Sequence, residues 1–140
     1  MSEGRINNSI SIGQIQADLF VVRELLSMID SIPSSKSKYY KGLAAYHLQQ
    51  SVEKLIKYQI YESESDIDNY RIYKHSIDEL ILYGESLDID LFVPVWIRNK
   101  SLIITDWEAK GRYDMHFVVR KDTLVRCYNE VNLWIKKYIL

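Results

Sequence analysis

Leu43 to Tyr61, reading LAAYHLQQSVEKLIKYQIY, constrains this chain more than any other stretch. It contains no Pro, and its only β-branched residues are Val52, Ile56 and Ile60, so the segment favours helix. Projected at about 100° per residue, Ala44, Ala45, Leu48, Val52, Leu55 and Ile56 share one broad apolar face. His47, Gln50, Lys54 and Lys57 gather on the other side, and Glu53 stands four positions before Lys57, the order that favours an ion pair. Such a helix buries one face in a bundle and shows a polar face to something else.

The flanking sequence reads as further helices. Residues 1–9 are polar and read as a disordered or loosely attached N-terminus. Ser11 with Gln14 resembles a capping box, and Ile12, Ile15, Leu19, Val22, Leu26 and Ile29 follow as the seam of a long amphipathic helix. Pro33 ends it, and SIPSSKS reads as a turn whose serines cap the central helix, expected from near Lys38 to about Tyr61. Gly42 near its start lowers helix propensity or allows a neighbour to approach closely. Glu62 to Asn69, ESESDIDN, reads as a solvated acidic loop. Ile72, Tyr73, Ile77, Leu80 and Ile81 predict a shorter helix stopped by Gly84. Asp88 or Asp90 is expected to cap the next, with Pro94 in its first turn and Leu91, Val95, Arg98 and Leu102 along one stripe, Trp96, Asn99 and Ile103 beside it. From Thr105 to His116 the periodicity breaks around Gly111, which predicts a loop or a bent connection. Leu124, Cys127, Val131, Trp134 and Tyr138 mark a final helix, whose Lys136 and Lys137 suit its C-terminal dipole. No strand-like alternation and no repeat is visible. The reading is one all-α domain over residues 1–140, an up-and-down bundle of four long helices plus one short helix.

Composition removes several function classes. With 140 residues, 47% hydrophobic and 26% charged, the chain is long enough for a core of its own. A net charge of -1 argues against tight non-specific duplex binding and leaves a local patch for a nucleotide or a single strand. The single Cys127 excludes an internal disulfide and a multi-cysteine zinc site, and its helical neighbours make it a small core residue. No apolar run reaches the roughly 20 residues of a bilayer span, and the first residues lack a signal-peptide pattern, so no membrane association and a cytoplasmic location are expected. There is no Walker loop, dinucleotide fingerprint or serine elbow, and the three histidines are scattered, so neither a cofactor nor a metal is expected.

The helix around His47-Leu-Gln49-Gln50-Ser-Val-Glu53-Lys54-Leu-Ile-Lys57 resembles the signature helix of the HEPN domains (higher eukaryote and prokaryote nucleotide-binding). His75-Ser-Ile-Asp78-Glu79-Leu80 and Gly111-Arg112-Tyr113-Asp114, the latter similar to the family's late Ala-Arg-Tyr-Pro, extend the resemblance over nearly the whole chain. It implies the same helical bundle, in its short stand-alone form. Ribonuclease toxins of this family share an Arg, a polar residue and then a His after four to six intervening positions. Arg98-Asn99 matches the first two, but Leu102 and Ile103 stand where the His should follow.

Two other pairs are spaced i,i+4. Arg112 and His116 form a degenerate version of the motif, and Arg71 and His75 read as helix capping. His47 is either a hydrogen-bonded interface histidine or, with Lys54, a contact to phosphate or base. Glu53, Lys54 and Lys57 read as a solvated face, given added interest by the resemblance. Lys110, Arg112, His116, Arg120, Lys121 and Arg126 concentrate positive charge late in the chain, diluted by Asp106, Glu108, Asp114 and Asp122. Trp107 and Tyr113 among them either stack a base or pack the segment onto the bundle. Eleven tyrosines exceed what so small a core needs, and Tyr39, Tyr40, Tyr58 and Tyr61 are candidates for a subunit contact.

Two functions are therefore weighed. The first is a non-catalytic module binding a nucleotide or nucleic acid through His47, Lys54, Arg98, Asn99, Arg112, Tyr113 and His116. The resemblance implies a two-fold homodimer for it and, as in two-gene bacterial systems, pairing with a minimal nucleotidyltransferase. The second is a metal-independent ribonuclease toxin of a toxin–antitoxin system, using Arg112 with His116, or Arg98 with a His from elsewhere. The missing His favours the first, since loss of a general acid or base costs about 100- to 10,000-fold in rate.

Overall fold

Ser11 opens the first helix as its sequence predicts. In the computed structural model its Oγ accepts from the Gln14 amide while its own amide donates to the Gln14 side chain, both at 3.2 Å. This reciprocal pair satisfies two otherwise orphaned donors. The structure describes residues 11–63, 76–114 and 116–139. Helix α1 (Ile12–Ile29) buries Ile15, Leu19, Val22, Leu26 and Ile29, the predicted seam less its half-buried first member, Ile12.

Helix α2 (Ser34–Ser63) is longer than expected at its start. The Pro33 carbonyl accepts from the amides of Lys36 and Ser37 at 2.9 and 3.0 Å, so SIPSSKS is not a capping turn. Proline needs no amide partner at a helix start, and Pro33 leads directly into the first turn of α2. α2 packs against each of the other helices of ten residues or more. Its predicted apolar face is wholly inside, and Tyr61 is buried with it. Part of its polar side is inside as well: His47, Gln50 and Lys54 are half-buried, while Gln49, Glu53 and Lys57 are buried, which corrects the expectation of a solvated face for Glu53 and Lys57. They are internally satisfied, with Lys57 Nζ 2.9 Å from Glu53 Oε2 and Gln49 Nε2 3.0 Å from Glu53 Oε1. Polar groups that a helix buries need such partners.

Helix α3 (Ile77–Ser86) starts at Ser76, whose Oγ accepts from the Glu79 amide. Gly84 lies inside α3 and does not stop it: a Cβ there would stand 2.8 Å from Leu91 Cδ2, so the glycine admits the following loop. Asp88 occupies the left-handed region with φ 58°, and neither it nor Asp90 caps a helix; the residue before α4 (Val95–Asn99) is Pro94. Gln59 of α2 holds this loop with both ends of its amide, to Phe92 N and O at 2.9 and 2.8 Å.

The largest departure follows. Thr105 to Tyr113 is neither loop nor bend but most of helix α5 (Ser101–Tyr113). Lys100, with ψ near 12°, makes the break between α4 and α5, so the stripe through Val95, Arg98 and Leu102 does not belong to one helix. α5 buries Ser101, Ile104 and Trp107 and then meets α2 through Gly111. Helix α6 (Lys121–Trp134) buries Leu124, Cys127, Val131 and Trp134 before a π-helical turn, Ile135–Ile139. Tyr138 leaves the core and stacks on Phe92, centroids 3.6 Å apart. The result is an all-α bundle of four long helices, a shorter α3 and the one-turn α4, with no strand among the described residues. Arg71 with His75, Ile72, Tyr73 and most of the acidic segment lie outside the described residues, as do residues 1–9. No described helix is long and apolar enough to cross a membrane.

Candidate functional site

Two glycines set the geometry of the basic end of the molecule. A Cβ on Gly42 would stand 2.5 Å from the Gly111 carbonyl oxygen, and one on Gly111 equally close to that of Gly42. This backbone-to-backbone approach of α2 and α5 is the use of Gly42 that the sequence left open. It also carries Arg112, one residue on, over the polar side of α2. The Arg112 guanidinium lies 4.5 Å from the Tyr46 ring centroid and 4.6 Å from that of Tyr113. Its Nη2 donates to Glu108 Oε1 at 2.7 Å and its Nε to the Glu108 carbonyl at 3.2 Å. A cation so held over two rings keeps its orientation while remaining partly exposed.

Tyr46 connects this group to a second one. Its ring meets His47 edge to face with centroids 5.1 Å apart. His47 Nδ1 is 2.9 Å from Asp18 Oδ1, and Lys54 Nζ donates to Asp18 Oδ2 at 2.7 Å. Burial alone raises the Asp18 pKa; the hydrogen bonds and charges of His47 and Lys54 outweigh it, and the carboxyl lies below its ordinary value. His47 and Lys54 are thus brought together, through a carboxylate on α1, and stand one aromatic ring from Arg112.

Around Phe117 three depressions adjoin. One of about 260 Å³ is lined by Lys38, Tyr39, Leu43, Arg112, Tyr113 and Asp114 among others. A second, about 450 Å³, takes in Lys100, Asp106, Lys110, Asp114, His116 and Arg120. The third, about 300 Å³, lies between Lys38, Lys41 and the segment from His116 to Val119. Phe117 lines all three. Tyr113 is 71% exposed, so it stands beside the furrow and does not pack the core, whereas Trp107 is buried and does. Arg112 and His116 do not share a helical face: α5 ends at Tyr113, and Asp114 is already extended. The His116 amide donates to Asp114 Oδ1 at 2.8 Å.

Arg98 and Asn99 stand apart. They lie on α4, where Arg98 Nη1 is 3.0 Å from Glu85 Oε2 of α3, and neither lines these depressions. Among the described residues no group of three or more His, Cys, Asp or Glu could hold a metal ion. Cys127 is fully buried, and burial, helped by the nearby Glu130 charge, pushes its thiol up, away from reactivity.

Asp18, Tyr46 and Lys38 were not singled out from sequence. Asp18 did carry a signal: it falls three residues after Ile15 and four before Val22, a lone carboxylate on the buried stripe of α1. Tyr46 and Lys38 carried none, because only the α2–α5 contact makes them neighbours of Arg112. No family model, curated protein or solved structure matches the chain.

Proposed function

We propose that this chain is a HEPN-like module that binds a nucleotide or single-stranded nucleic acid on the face of Arg112, without catalysis. The observation that carries the reading is the Arg112 guanidinium held over Tyr46 and Tyr113 beside an open, mostly basic furrow. Cations spaced along a furrow hold phosphates, and an exposed ring next to them stacks a base of any identity. His47 and Lys54, joined through Asp18, adjoin this face only through the Tyr46 ring; Arg98 and Asn99, on the helix that pairs to α3, contribute least. By the family resemblance, the functional unit is a homodimer that pairs with a minimal nucleotidyltransferase.

Fluorescence anisotropy with a labelled single-stranded RNA and with a labelled adenine nucleotide tests the binding. Tyr113→Ala lowers affinity by roughly 5- to 150-fold, the worth of one base stack. Unmeasurable binding of both probes by the wild-type protein overturns the proposal.

One observation favours the second reading, a metal-independent ribonuclease toxin. A histidine held by a carboxylate next to an arginine is suited to proton transfer beside a phosphodiester. Incubation with total RNA in a chelator decides between the two. Cleavage that disappears in both Arg112→Ala and His47→Ala, or in both Arg112→Ala and His116→Ala, replaces the binding module by the nuclease.

A further inference from the structure

Asp18 is 9% exposed and is used at both oxygens, Oδ1 by His47 Nδ1 and Oδ2 by Lys54 Nζ. An ionised carboxylate only accepts hydrogen bonds, so the proton of the His47 contact sits on Nδ1. Nε2 has no hydrogen-bond partner among the described residues. It is not buried either: Trp134 Nε1 is the one buried side-chain polar atom left unpartnered there. Nε2 therefore meets solvent and carries the lone pair whenever the ring is neutral, and the imidazole and the Arg112 guanidinium both pack on the ring of Tyr46.

We infer that Asp18 is a positioning residue, holding His47 with its proton on Nδ1 and leaving Nε2 open to solvent as a hydrogen-bond and proton acceptor, on an imidazole that packs against the same Tyr46 ring as Arg112. Lys54 contributes by occupying the other oxygen, which fixes the rotation of the carboxylate. Calling this a ligand-binding face rests on the reading proposed above; the tautomer does not, and it is measured on the free protein.

Lys54 makes the test sharp. In Asp18→Asn the lysine, which can only donate, claims the amide oxygen. The amide nitrogen then faces His47 Nδ1, which must accept, and the proton moves to Nε2. Long-range ¹H–¹⁵N correlation spectra of the imidazoles, recorded at about pH 8 where an ordinary histidine is neutral, read the tautomer directly, with His47→Gln assigning the signals. The wild-type protein shows a protonated Nδ1 and a bare Nε2, Asp18→Asn shows the reverse, and Lys54→Met keeps the wild-type pattern. Histidine in water prefers the proton on Nε2, so that form in the wild-type protein overturns the proposal, whether or not Asp18→Asn folds. An unchanged pattern in Asp18→Asn, or a reversed one in Lys54→Met, overturns it as well.

Discussion

Gly42 and Gly111 act as a pair, because each leaves the room into which the other's carbonyl fits. Gly111→Ala brings a methyl group 2.5 Å from a backbone oxygen that belongs to a helix and cannot swing aside. The helix propensity gained, about 1 kcal/mol, is outweighed by a separation of α2 and α5 costing about 1–3 kcal/mol or more. Gly84→Ala makes a useful contrast: its Cβ meets Leu91 Cδ2 at 2.8 Å, the end of a flexible side chain. Thermal unfolding followed by circular dichroism is expected to show a lower midpoint for Gly111→Ala and little change for Gly84→Ala. Also at this scale, the lowered pKa of Asp18 means the unfolded chain takes up a proton there before the folded one does. Its contribution is present above the ordinary carboxylate pKa and lost as the pH falls below it. The gap in melting temperature between wild type and Asp18→Asn should therefore narrow from about pH 5 to about pH 3, a window below the usual imidazole range. A gap constant over that window refutes the linkage.

At the scale of elements, α5 supports α3 as well as α2. Thr105 Oγ1 accepts from the Ile77 amide at 2.8 Å while donating to the Ser101 carbonyl at 2.7 Å. The first amide of α3 thus has its partner on a neighbouring helix, in addition to the Ser76 cap. Thr105→Val keeps the shape but removes that acceptor, at a cost of about 1–3 kcal/mol for a donor left unmade. Hydrogen exchange is expected to rise at Ile77 first and to leave the middle of α2 protected. Uniform acceleration across the bundle would show that α3 is not an independent unit of opening. The ion pair inside α2 makes a second prediction. Lys57→Met removes one partner of the buried Glu53 and should destabilise by more than the roughly 0–1 kcal/mol that an exposed pair such as Lys110 with Asp106 contributes.

Over the whole molecule, part of the exposed aromatic surface lies beside the basic furrow, while Phe20 and Tyr138 are exposed elsewhere. Tyr39, Leu43 and Tyr113 are exposed around the furrow, while Tyr40 and Tyr58 are half-buried and Tyr61 is inside, so the tyrosine surplus offers a narrower contact surface than its number implies. A two-fold contact through Tyr39 and Tyr113 would bring two copies of Arg112 to one groove. Sedimentation equilibrium at micromolar concentration should give about twice the 16.6 kDa of one chain. Tyr39→Ser with Tyr113→Ser should return it to a monomer. A monomeric wild-type protein removes the dimer and leaves the single-chain furrow to be tested by itself. Binding through spaced lysines and arginines should weaken steeply with salt, and a salt-independent affinity would point to recognition by the rings alone.

The sequence by itself determined the helical class, the capping box of Ser11, the seams of α1 and α6, and the burial of the apolar face of α2. All of these follow from local spacing and from partners within one turn. It also held the Glu53–Lys57 pair, though not its burial, because a polar stripe looks the same in water or between helices. Only the tertiary structure decided the rest. Gly111 breaks an apolar period, so the spacing of Thr105 to Tyr113 does not read as helix, whereas in the fold the α2 backbone occupies the missing side chain's place. Asp18 and His47 are joined across 29 positions and Tyr46 and Arg112 across two helices. Such meetings depend on how close two backbones come, and for Tyr46 and Arg112 that distance is set by a pair of residues with no side chain to read.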